Sequence, residues 1–149
     1  MQSRLRWVGT LLTVVALAVA GCAESGAEAA EGEPAILISP VDGSDVSRLT
    51  LSARAWERLG IETAEATERV VDDVERLVIP YAAVLYDADG SAWAYTNRDG
   101  FEFIRARLEI VRIAGSEAIL ADGPAPGTLV VTVGGAELWG AEHGVGGGH

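Results

Sequence analysis

Ser91-Ala92-Trp93-Ala94-Tyr95-Thr96-Asn97-Arg98-Asp99-Gly100-Phe101-Glu102-Phe103-Ile104-Arg105-Ala106-Arg107-Leu108-Glu109-Ile110 carries two alternating runs around one turn. In the first run Trp93 and Tyr95 share a face. Asn97-Arg98-Asp99-Gly100 has hairpin-turn chemistry, with glycine free to take positive φ. In the second run Ile104, Ala106, Leu108 and Ile110 alternate with Arg105, Arg107 and Glu109. That period of two predicts a half-buried strand. Phe101, Phe103, Val111 and Ile113 fall on the opposite phase, so the strand is predicted to bulge or bend at both ends.

Working outward, the same grammar repeats. Gly115-Ser116 turns the chain into Glu117 to Ala121, and Asp122 to Gly127 leads to a last strand, Leu129 to Val133. Upstream, Asp87-Ala88-Asp89-Gly90 is a second hairpin turn, preceded by the apolar, aromatic segment Tyr81 to Tyr86. Glu75 to Ile79 is extended ahead of Pro80, which disfavours helix in the residue before it. The chain reads as strands from Ile61 onward, with adjacent Asp72 and Asp73 pointing to opposite, solvated faces if extended. Ser52 is placed to cap a helix from Ala53 to Leu59, with Trp56 and Leu59 on one face and Gly60 as its stop. Leu49 to Leu51 and Ala35 to Ile38 are extended, and Pro40-Val41-Asp42-Gly43 is a turn. Turns at such short intervals predict a mainly β domain, a small antiparallel barrel or sandwich with one short helix. It should span residues 35–141, followed by a helical turn near Ala136 to Glu142 and a Gly/His tail over residues 142–149.

The N-terminal end has a different character. Arg4 and Arg6 precede an apolar run from Trp7 to Ala20, the pattern of a secretory signal over residues 1–21. Val19-Ala20-Gly21-Cys22 resembles the bacterial lipobox. That resemblance implies cleavage before Cys22 and acylation of its thiol, with the protein held at a cell membrane and facing the periplasm or the extracellular side. Two acyl chains suffice for stable anchoring. Residues 22–34, rich in Ala, Glu and Gly, read as a flexible acidic tether. Removing 21 of 149 residues leaves 128, enough for one cored domain. There is no Lys, so that part carries nine Arg against 22 acids. Such a surface repels phosphate backbones and argues against nucleic acid as a partner. Cys22 is the only cysteine and Met1 the only methionine, which excludes an internal disulfide and a soft-metal site.

Two blocks resemble the periplasmic adaptor subunits (membrane fusion proteins) of resistance-nodulation-division efflux pumps, closest to the heavy-metal branch. The first runs from Leu49 to Ala66, with Gly60-Ile61-Glu62-Thr63 after its helix. The second runs from Val78 to Tyr95 and continues through Phe101 to Arg105, Asp122 to Gly127, Leu129 to Gly134 and Ala136 to His149. In the family these blocks open and close the membrane-proximal domain. The lipoyl-like domain, helical hairpin and β-barrel that lie between them are missing, and only Thr67 to Leu77 joins the blocks. The resemblance implies a membrane-proximal-like domain whose two chain ends share one sheet. Its partner would be an efflux transporter or a full-length adaptor.

Catalysis is not expected. The two histidines, His143 and His149, lie in the glycine-rich tail, away from any frame that would orient a catalytic imidazole. No cofactor motif is present: Gly144 to Gly148 follows no strand and opens no helix. Asp87, Asp89 and Gly90 do not make a calcium loop, since Leu85 and Thr96 stand where acids are required. His143 and His149, with Glu137 or Glu142, are candidate ligands for Zn or Cu(II) in an alternative reading as a solute- or metal-binding lipoprotein. Among the aromatics Trp93, Trp139, Tyr81, Tyr86 and Phe103, the strand residues Trp93 and Phe103 are assigned to the core. Trp139, near the chain end, is the candidate partner contact.

Overall fold

The computed structural model describes residues 34–144. Ten strands and two helices follow in order: β1 (Ile36–Pro40), β2 (Ser47–Leu51), α1 (Ala53–Leu59), β3 (Glu62–Glu65), β4 (Thr67–Val71), β5 (Val74–Pro80), β6 (Leu85–Tyr86), β7 (Ala92–Asp99), β8 (Glu102–Ala114), β9 (Glu117–Asp122), β10 (Leu129–Val133) and α2 (Gly135–Glu142). All pairings are antiparallel, and the main path is β3-β10-β7-β8-β9-β5-β4. β3 and β4 are separated only by Ala66. Its N–H donates to Thr128 O and its carbonyl accepts from Gly127 N, both at 2.8 Å. The two ends of the path, consecutive along the chain, are thus tied beside the loop before β10, and the sheet curls into a half-barrel. The hairpin β1–β2 joins through β2 to the start of β8, and β6 adds to β7.

Strand alternation sorts side chains into two cores. Ala92 and Ala94 of β7, Leu108 of β8, Ala118 and Leu120 of β9 and Val130 of β10 fill the inner core. Its many alanines suit a narrow interior. The opposite phase, Tyr95, Phe103 and Val131, packs outward against Leu49 and Leu51, Ala55 of α1 and Leu138 of α2. Phe103 and Leu138 are fully buried there, each worth about 1.5–3 kcal/mol. β8 serves both cores. Its first part pairs with β7 and β2 and its last part with β9, with register shifts at Ile110. An irregularity was expected at this end from the change of phase, but Val111 and Ile113, which suggested it, remain exposed.

α1 follows its sequence signals. The Ser52 side chain accepts from Ala55 N at 3.2 Å, and Gly60 ends the helix at φ +59°. The Trp56 ring lies 5.4 Å from Phe101 and 5.6 Å from Phe103.

Three expectations change. The C-terminal piece is a true helix of eight residues, so there are two helices rather than one. Its Leu138 is driven into the outer core, which supplies what a short isolated helix lacks. Tyr81–Ala83 forms a 3-10 turn before the two-residue β6. Tyr81 N donates to Ser116 O and Val84 N to Tyr81 O, so the backbone there is satisfied without a ladder. Asp72 and Asp73 are not extended; at φ +53° and +63° they form the tight turn between β4 and β5.

Candidate functional site

The outer face of β7 and β8, where α2 crosses, gathers most of the molecule's buried polar chemistry. Tyr95 and Arg105 are cross-strand partners, as are Trp93 and Arg107. All four lie on the outward phase. α2 reaches them because Gly134 turns the chain sharply at φ +89°, where a Cβ would clash with Ile61 Cδ1. Glu142 then lies one turn beyond Leu138, which anchors the helix.

Glu142 is the hub. Its carboxylate accepts from Ser47 N at 3.0 Å, Tyr95 OH at 2.5 Å and Arg105 Nε at 3.1 Å. The side chains of Arg105 and Glu142 are only 10% and 4% exposed. A pair this buried is viable because hydrogen bonds occupy its lone pairs. Arg105 is also sandwiched between indoles. Its Cζ lies 4.4 Å from the Trp93 ring centroid and 5.3 Å from that of Trp139. Arg107 lies 5.7 Å from the Trp93 centroid and donates to Ser91 Oγ. Burial, then the Glu142 carboxylate, hold the Tyr95 phenol well above its ordinary range. Chemically, the cluster is a clamp built on an ion pair. It ties α2 and the β1–β2 hairpin to the barrel, and its groups are spent on one another.

Each residue singled out from sequence has a definite place. Phe103 is core, as expected. Trp93 is not: it is only half-buried, roofed by Arg105 and Arg107, and its Nε1 is buried without a partner. Its strand phase matches Tyr95, but arginines rather than apolar side chains cover it. Trp139 is half-buried at the rim of the clamp, with the exposed His143 ring stacked on it at 4.3 Å. His143 Nδ1 lies 2.9 Å from Trp139 O. Glu142 is engaged as described, so the candidate metal set loses that donor. Glu137 is exposed in the first turn of α2. Among the described residues no group of three or more His, Cys, Asp or Glu converges. Cys22 and His149 lie outside the described residues. The Arg105–Glu142 pair was missed from sequence. The available signal was the outward phase of Phe101 and Phe103, which required something to cover that face.

Neither a family model nor a curated protein matches the chain. A solved structure is similar: the NMR structure of a 180-residue portion of SilB from Cupriavidus metallidurans CH34, encompassing its N-terminal metal-binding site and membrane-proximal domain. The identity is 23% and the TM-score 0.45, over 56% of this chain and 48% of that one. The chain thus spans about half the length of the solved structure it matches.

Proposed function

We propose that the protein is a membrane-anchored extracytoplasmic lipoprotein that acts as an adaptor-like module of an efflux system, docking on a transporter rather than catalysing a reaction. One observation carries this reading. β3, from the first adaptor-like block, pairs with β10, from the second, with Ala64 opposite Val130 and Thr63 opposite Val131. The two blocks form one closed domain although little chain lies between them. A domain complete without the family's middle parts keeps a docking surface and lacks the means to reach further. The lipobox-like Val19 to Cys22 supports a lipid anchor, and the short tether after it would hold the domain near the membrane. Trp139, half-buried beside an exposed His143, suits a contact whose remaining surface is covered on docking.

The test is affinity purification of the tagged, lipidated chain from solubilised membranes. A transporter permease should be enriched with it, and Trp139→Ala should weaken retention by at least about tenfold. Mass spectrometry of the N-terminal peptide should show diacylglycerol on Cys22, and Cys22→Ser should release the protein from membranes. Enrichment of no transport component by a correctly lipidated, folded protein would refute docking.

A further inference from the structure

At the point where β3 hands over to β4, the domain carries a cleft of about 600 Å³, formed by elements other than those of the clamp. Val78 and Pro80 contribute its apolar lining, and Tyr81, held by the 3-10 turn, also lines it and remains 41% exposed. Glu65 and Glu117 supply its charge, and no cationic side chain lines it. Arg69 pairs with one oxygen of Glu117 at 2.5 Å; Glu65 forms no ion pair among the described residues.

Charge and shape together select a ligand class. An anion is repelled by two carboxylates in a chain of net charge −11. A bare divalent ion needs more oxygen ligands than this wall supplies, and no three-membered metal-ligating group occurs among the described residues. An organic cation fits both features, because an aromatic side chain and the unpaired Glu65 carboxylate attract its charge while apolar walls take its hydrocarbon. The volume lies within the usual range for small-molecule sites.

We propose that this cleft binds a small organic cation with an apolar body, of the quaternary-ammonium class, with Tyr81 as the aromatic contact and Glu65, which has no ion-pair partner among the described residues, as the counter-charge. This goes beyond the docking function and does not rest on it. Equilibrium dialysis of radiolabelled benzyltrimethylammonium against the full chain in phosphatidylcholine nanodiscs, with empty nanodiscs as blank, tests it at low ionic strength. Saturable retention of one cation per chain is expected, not displaced by p-toluenesulfonate. Tyr81→Ala should weaken binding about fivefold and Glu65→Gln about threefold, while Tyr81→Phe, which keeps the ring, should bind like the parent. Retention no greater than the blank, equal retention of the sulfonate, or indifference to both Tyr81→Ala and Glu65→Gln in folded protein would overturn the proposal.

Discussion

Glu142 shows how a single buried charge constrains a small domain. With its side chain 4% exposed and three donors aimed at it, its removal leaves the Arg105 guanidinium desolvated and unpaired. Glu142→Ala is therefore expected to cost about 3–5 kcal/mol, read from the urea midpoint. The double variant Arg105→Met with Glu142→Leu should recover only the part due to the stranded guanidinium, because the Ser47 N–H and the buried Tyr95 hydroxyl stay unpaired. A single variant costing less than about 1 kcal/mol would show that the pair does not hold α2. Tyr95 extends the argument to pH. Its phenol keeps its proton in the folded state to higher pH than in the unfolded chain, by burial first and by Glu142 second. The resulting stability is fully present below about pH 10 and falls as pH rises beyond it, because the unfolded phenol ionises first. Urea midpoints measured across that range should decline, and Tyr95→Phe should flatten the decline.

Elements are held by their ends as much as by their faces. α1 begins at the Ser52 cap and stops at Gly60, both local devices. α2 depends on Gly134, where positive φ and the closeness of Ile61 exclude a side chain. The β4–β5 turn is less well matched to its residues. Both central positions have φ above zero, which favours Asn-Gly, yet Asp72 and Asp73 occupy them with adjacent negative charges. The exposed Arg112–Asp72 contact at 3.2 Å compensates little. Asp72→Asn with Asp73→Gly should raise stability by about 1 kcal/mol, visible as an increase of several degrees in the melting temperature. An unchanged or lower melting temperature would show that the turn is not strained.

At the scale of the whole molecule, the barrel closes only when both ends of the chain are present. β3 covers β10, β2 covers the start of β8, and α2 covers Tyr95 and Phe103. Cutting between Asp72 and Asp73 separates β1–β4 with α1 from everything they pair with downstream. Neither fragment is expected to fold alone. Their co-expression should restore a β-type circular dichroism spectrum, and a folded C-terminal fragment by itself would contradict the closure.

The strands, most of the turns and α1 were legible in the sequence, because alternation, caps and turn residues act over a few neighbours. The two faces of β8 were legible for the same reason: Phe103 and Leu108, five residues apart, take opposite sides of one strand. Period alone tells which side a residue takes, not what covers it, so Trp93 was assigned to the core although arginines roof it. The clamp could not be read at all. Glu142 meets Arg105 across 37 residues and Ser47 across 95. Those meetings depend on the path of the folded chain, since long-range contacts form only after closure has fixed where each end lies. Sequence alone determined a chain of β-strands with an acidic surface and marked its turns. Tertiary structure decided that the ends meet, that α2 lands on β7 and β8, and that the buried charge finds its partner.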